Sequence, residues 1–452
     1  MAYIELTIEK LIYGGEGLAH HNGATVFVPF VLPEERVSAQ LVEQKKKFAR
    51  ARPERVLAPS ADRVAARCPH FGVCGGCDYQ HIPYEAQLKY KVEILRETLR
   101  RTGRIDWTGD ITAHASPPWA YRNRAQWKVR PIAEAASGAR TKETAAADDS
   151  AAGRMGIGYF AANSSALCPV EDCPIISPLL LKTLLALRRA LAAGELPDNL
   201  REIEALADSD DSQLLLTAAF SGFPSRSAEL ADKFRVIAPE TASLVFHDPA
   251  HDRMELFGPG FVVCGAGERS YRVGHFSFFQ VNRFLAGDLA REVAEADASG
   301  SLALDLFAGV GLFALPLAER FKHVIAVESN PAAARDLEAN IASASTESGR
   351  SSRSRSVEVR VANVERFLSQ FRGAPELVVL DPPRAGLTPP MIKHLVRIAP
   401  ERITYVSCDP PTLARDLAAL QPAGYDLREL HLFDLFPQTF HMETVARLRR
   451  RS

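Results

Sequence analysis

Between residues 302 and 406 the chain carries five short apolar runs, at 302–307, 324–328, 357–361, 377–380 and 403–406, with helix-patterned stretches between them. Apolar runs bounded by turn residues read as buried strands. Strands alternating with helices fold as a doubly wound parallel sheet of the α/β, Rossmann-like class. Such sheets bind ligands in the crevice beyond the carboxyl ends of their strands, so the residues closing each run are where chemistry is expected. The fifth run ends in Ser407-Cys408-Asp409-Pro410-Pro411, a cysteine between a strand end and the start of a helix. A lone cysteine is more often an inert core residue than a reagent. The other strand ends decide how to read it.

After the first run, Asp305-x-Phe307-x-Gly309-x-Gly311 makes a glycine turn that lets a ligand approach the backbone. It lacks the third glycine of a dinucleotide fingerprint and the Lys-Ser/Thr of a P-loop. Glu328 closes the second run at the spacing where an acid holds a ribose diol. Asn363, after the third run, suits an adenine edge, and Asp381-Pro-Pro-Arg-Ala-Gly386 closes the fourth. Singly each residue could be a cap or a turn; together they fit S-adenosylmethionine.

Two reactions compete for that cofactor. Asp-Pro-Pro followed by an aromatic residue marks methylation of exocyclic base amines, but Arg384 stands where the ring belongs, and Cys408 would be idle. Methylation at C5 of uracil gives the thiol a task. A thiolate adding to C6 turns the ring into an enolate nucleophilic at C5, and a base must later take the C5 proton. Glu443, in His441-Met-Glu443, is the candidate base; a buried glutamate near a substrate ring has a pKa suited to proton transfer.

The remainder of the 452 residues reads as two further domains. Residues 1–58 alternate apolar and polar positions between glycine turns, the pattern of a five-stranded, OB-like barrel. The formal net charge of −1 excludes a global field for nucleic acid, so basic surface must be local. Lys45, Lys46, Lys47, Arg50, Arg52 and Arg55 supply such a run, either a solvated face or a phosphate-tracking edge. This module resembles a TRAM domain, which implies RNA binding. Residues 59–275 read as a central mixed α/β lobe and 276–452 as the catalytic domain.

Within the central lobe, Cys68, Cys74 and Cys77 stand at C-x5-C-x2-C spacing, with Cys168 and Cys173 as candidates for a fourth ligand. Such spacing suits an iron–sulfur cluster or a structural zinc, with the cluster favoured because paired C-x2-C knuckles are more typical of zinc. An amphipathic helix is expected over 85–101, with Leu88, Val92, Leu95 and Leu99 on the apolar stripe and Lys89, Lys91, Arg96 and Arg100 on a basic face. Residues 119–130 mix Trp119, Tyr121 and Trp127 with arginines. That is either a platform for unstacked bases or a solvated sheet face over core rings. Residues 133–152 and 343–356 read as polar inserted loops, and 200–280 as successive strands. No run is long and apolar enough to span a bilayer, and the start of the chain lacks a signal-peptide pattern, so a cytoplasmic protein is expected, with a monomer the favoured state.

Ser277-Phe-Phe-Gln-Val-Asn282, Asp305-Leu-Phe307, Asp381-Pro-Pro-Arg-Ala-Gly386, Ser407-Cys-Asp-Pro410 and Phe436-Pro-x-Thr-x-His-x-Glu443 together resemble the RNA (uracil-5-)-methyltransferase family. The N-terminal module and cysteine cluster are similar to its 23S rRNA branch. The resemblance implies Cys408 as nucleophile and Glu443 as base, with Gln280, Phe307, Glu328, Asn363 and Asp381 on S-adenosylmethionine. It also implies a [4Fe–4S] cluster on Cys68, Cys74, Cys77 and Cys173, the Cys-Pro-Ile-Ile context favouring Cys173. Asp409 and Leu312 depart from the family, which usually has Asn after the nucleophile and often Asn at the second position. Transfer RNA as substrate, amine methylation, and an inactive RNA-binding scaffold are the alternatives.

Overall fold

The computed structural model describes residues 3–132, 155–295, 299–347 and 356–451. The loop expected at 133–152 lies outside them. So does most of the one expected at 343–356, whose first five positions belong to the helix Pro331–Glu347. The chain forms two compact units. One comprises Met1–Arg67, Cys77–Tyr121 and Val263–Ser452, the other Cys68–Gly76 and Arg122–Val262.

In the first unit, an N-terminal sheet curls around Leu6, Ile8, Val26, Val28 and Val37, all buried. It has six strands rather than five, because Lys10–Leu11 pairs briefly with Gly17–Leu18 before the turn at Gly14 and Gly15. The catalytic-type sheet has eight strands. Ser356–Val361, Phe321–Glu328, Gly300–Leu306, Leu377–Leu380 and Arg402–Ser407 run parallel, as the apolar runs require. Glu443–Arg450 and Tyr425–Phe433 then add an antiparallel hairpin, and Ile111–His114 joins at the edge. Residues expected in the central lobe thus supply an edge strand of this sheet. The helix expected after Gly311 is only Ala314–Leu317, since Gly309 and Gly311 both adopt positive φ and hold the preceding backbone in turns.

The helix Tyr84–Gly103 buries Ile94, Leu95 and Leu99 as its periodicity demands, while Leu88 and Val92 are only half-buried. Lys91 corrects the expected basic face. It is fully buried, and ion-paired with a carboxylate equally buried, Asp434, at 2.7 Å.

The second unit is a seven-stranded sheet carrying the helices Pro178–Ala192 and Ser227–Ile237. The latter corrects the reading of 200–280 as strands throughout. Leu230, Ala231 and Phe234 bury one face at helical spacing. Trp127 is fully buried in this unit, as is Tyr121 in the first. Arg124 and Lys128 pair with Glu204 and Glu202 on the neighbouring strand. Tyr121 and Trp127 are therefore core rings, and Arg124 and Lys128 are paired charges. No described helix is long and apolar enough to cross a membrane.

Candidate functional site

The Arg402–Ser407 strand pairs antiparallel with Glu443–Arg450, and Ser407 lies opposite Thr444. The next residues outward along this register are Cys408 on one side and Glu443 on the other. Directly opposed side chains of an antiparallel pair stand about 5 Å apart at Cβ. Cys408 and Glu443 thus follow the last pair of the ladder, beyond the carboxyl end of the parallel sheet, and the Glu443 carboxyl is within electrostatic reach of the thiol. Asp409 accepts from Thr412 N at 2.9 Å and caps the helix Pro410–Leu420, which turns the chain sharply after Cys408.

Cys408 is half-buried, and its thiol is pushed up to about 12 by burial first, then by Glu443 and Asp381. Arg384 opposes that shift. Glu443 is buried, and its Oε1 has no hydrogen-bond partner among the described residues. Burial holds its carboxyl well above the carboxylate range, with Asp381 adding to the effect and Arg384 against it. Asp381 is raised by burial as well. Asp305 is completely buried with no side-chain partner among the described residues, and its carboxyl is pushed up to about 8 by burial, Asp381 and Glu328, with the Ala314 backbone opposing the shift. Several carboxyl groups are therefore within electrostatic reach of one another here, and among the described residues Arg384 is the cation that counters them at Glu443 and Cys408. Such a set of acids favours a cationic guest.

Glu328 at the end of its strand accepts from Gly309 N at 2.8 Å and Asn330 N at 2.6 Å, tying the glycine turn to the neighbouring strand. Phe307 opens that turn at φ +67° and packs against the core. Gln280 is buried in the segment between the strand Arg269–Gly274 and the helix Ala286–Glu295. Asn363 follows its strand as expected, but its side-chain oxygen accepts from Arg366 N at 3.2 Å, so it serves as a helix cap.

Several positioning residues carried no motif. Asp336, on the Pro331–Glu347 helix, accepts from Gly274 N and Ser277 Oγ, each at 2.7 Å, and so fixes the approach to Gln280. Asp416 accepts from Leu387 N and Tyr405 Oη, and Thr412 donates to Arg384 O, locking the Asp381–Gly386 turn to the helix behind Cys408. A Cβ on Gly386, at φ +71°, would stand 2.1 Å from Thr412. Lys91 Nζ also donates to Phe436 O and His441 O, at 3.2 and 2.8 Å, and Gln87 exchanges hydrogen bonds with Gln438. These clasps hold the turn that presents Glu443. A buried lysine reads in sequence as one more basic residue; only its i−4 neighbour Gln87, on an otherwise apolar side, hints at an inward polar face.

In the second unit, Cys168 and Cys173 are buried, while Cys68 and Cys74 are half-buried. Burial pushes Cys74 up to about 12, and Cys168, Cys173 and Cys68 add to the shift. Burial likewise pushes Cys173 to about 11, with Cys68 adding to it. These thiols are within electrostatic reach of one another, and thiol ligands suit a soft metal. Cys77, also half-buried, begins the next segment of the first unit.

Residues 264–451 match the family described as tRNA (Uracil-5-)-methyltransferase, and residues 2–53 match the TRAM domain. The chain is 33% identical over 459 residues to the 23S rRNA (uracil(1939)-C(5))-methyltransferase RlmD of Klebsiella pneumoniae, covering 99% of this chain and 96% of that protein. It is 31% identical over 463 residues to an RNA methyltransferase of Aquifex aeolicus, covering 98% of each. The fold is shared with the Pyrococcus abyssi tRNA (uracil-54, C5)-methyltransferase, solved with S-adenosyl-L-homocysteine, at a TM-score of 0.71 and 24% identity over 98% of this chain and all of that one. By sequence along its whole length and by fold, the chain belongs to the RNA (uracil-5-)-methyltransferase family.

Proposed function

We propose that the protein methylates C5 of a uridine in RNA, with Cys408 as covalent nucleophile, Glu443 as base and S-adenosylmethionine as methyl donor. The observation that carries this reading is that Cys408 and Glu443 lie just beyond the last pair of one strand ladder, with Glu443 and Asp381 both within electrostatic reach of the thiol. Cys408 gives up its proton to solvent and adds to C6 as the thiolate, forming an S–C6 bond and an enolate. When bound, S-adenosylmethionine supplies the methyl group that C5 takes. Glu443, in its carboxylate form at this stage, then accepts the C5 proton, the C5–C6 double bond reforms and the thiolate leaves. Glu328, Phe307, Gln280, Asn363 and Asp381 are the residues assigned to the cofactor. The buried carboxylates suit its sulfonium and ammonium charges.

The RNA is proposed to be 23S rRNA, because the relatives similar over full length carry that activity in their names. A groove of about 560 Å³ is lined by Phe27, Phe48, Lys47 and Arg101, with Glu9 and Glu97, and Tyr13 and Pro411 also line it. Its rings and cations suit unpaired nucleotides flanking the target. Cys68, Cys74, Cys77 and Cys173 would hold a [4Fe–4S] cluster, whose cationic irons would relieve the crowding of the thiols. The test is RNA containing 5-fluorouridine. The wild type is expected to form a denaturation-resistant adduct in the presence of S-adenosylmethionine, and Cys408→Ala none. Methyl transfer to a base amine, without any adduct, would refute the assignment.

A further inference from the structure

Resting on Cys408 as the nucleophile, we propose that Tyr13, contributed by the N-terminal curled sheet, is a positioning residue of the catalytic centre that holds the Asp409 carboxylate and moderates its charge beside the thiol. Tyr13 lies in the turn between Lys10–Leu11 and Glu16–His21, where Gly14 and Gly15 take φ of +107° and +84°. Its hydroxyl donates to Asp409 Oδ2 at 3.1 Å. The other oxygen of the same carboxylate is occupied by the helix cap to Thr412 N. The Tyr13 ring meets Phe440 edge-on, with centroids 5.4 Å apart, and Phe440 in turn packs on His441, two residues before Glu443. A Cβ on Gly15 would stand 3.2 Å from Phe440, so the turn needs glycine to come this close. One turn of the N-terminal module therefore touches both the residue after the nucleophile and the approach to the base.

The chemistry follows from charge. Glu443, Asp381 and Asp409 face Cys408 with negative charge, and Arg384 with positive charge. A carboxylate beside a thiol opposes formation of the thiolate. Glu443 and Asp381 are held toward the neutral form by burial, whereas Asp409 is half-buried. A donated hydroxyl spreads the Asp409 charge away from the sulfur without losing the helix cap. The N-terminal module is then part of the reaction centre as well as an RNA-docking element.

The experiment measures alkylation of Cys408 by iodoacetamide against pH in the full-length protein, read by peptide mass spectrometry, alongside adduct formation with 5-fluorouridine RNA. Below its midpoint a thiol's alkylation rate climbs about tenfold per pH unit. Tyr13→Phe is expected to displace that line upward by about one pH unit and to slow adduct formation about tenfold. On an Asp409→Asn background, where no charge needs moderating, Tyr13→Phe is expected to change either rate by less than about twofold. An unmoved alkylation line in Tyr13→Phe, or an equal loss on the Asp409→Asn background, would overturn the proposal, because a hydroxyl acting only in packing behaves that way. A wild type that forms no uridine adduct while the alkylation line still moves defeats the uridine chemistry and supports the Tyr13–Asp409 coupling.

Discussion

Burial holds both the Cys408 thiol and the Glu443 carboxyl toward their protonated forms in the resting enzyme, so each must lose its proton before it acts, the thiol before attack on C6 and the carboxyl before it takes the C5 proton. Glu443 is needed after methylation, when the C5 proton must leave. Glu443→Gln should therefore still attack C6 and accumulate the methylated covalent complex, with turnover falling at least about 100-fold. Denaturing gel shifts of ordinary uridine RNA, with label from the methyl donor, would show the trapped species. If the variant turned over normally, another group would be the base.

Asp305 makes a separate claim on pH. Its acid is raised in the folded state from the usual 3.8 to about 8 by burial, so the folded protein binds this proton more tightly than the unfolded chain. By linkage its contribution favours folding at low pH and is lost as pH rises from about 4 to about 8. Asp305→Asn should remove that dependence, unfolding at a higher urea concentration than wild type at pH 8 while the two converge near pH 4. Equal differences at both pH values would mean that the carboxyl does not titrate in this window. Asp305 was legible as part of a glycine-turn motif; that it lies buried among other acids was not, because Asp381 and Glu328 come from strands far away in sequence.

Among the elements, the Tyr84–Gly103 helix gains most from the structure. Its apolar periodicity is plain in the sequence, yet its decisive residue is the buried cation Lys91. Lys91→Met leaves Asp434 buried without its partner and should cost about 3–5 kcal/mol of stability, since breaking a buried pair strands a charge. Lys91→Met/Asp434→Leu should recover most of that cost in urea melts. Recovery of activity should lag, because the carbonyls of Phe436 and His441 would still lack their donor. The five parallel strands were legible because buried strands of a parallel sheet are apolar on both faces. The Ser227–Ile237 helix was not, because its short apolar stripe sits among strand-like runs whose local periodicity is similar.

At the scale of the whole molecule, the proposed cluster would draw on cysteines about a hundred positions apart. If Cys68, Cys74, Cys77 and Cys173 hold the cluster, anaerobically purified protein should carry about four iron and four sulfide per chain. Cys173→Ser should lose most of both, and Cys168→Ser should retain them. Bound zinc in a colourless protein, or the opposite response of the two variants, would show a different centre. Spacing made the thiol-rich loop conspicuous but left the fourth ligand open, since Cys168 and Cys173 stand in the same short stretch and both come within electrostatic reach of Cys68.

The order of apolar runs and glycine turns was enough to specify the doubly wound sheet and the curled N-terminal module, and to put Cys408 forward as the candidate nucleophile, because local periodicity and turn chemistry are properties of neighbours in the chain. The pairing of Cys408 with Glu443, the charge that Tyr13 moderates and the inward lysine clasping the C-terminal turn depend on strand register and helix packing. Those bring together groups separated by tens to hundreds of residues, and burial then changes their chemistry by removing the water that would have kept each one ordinary.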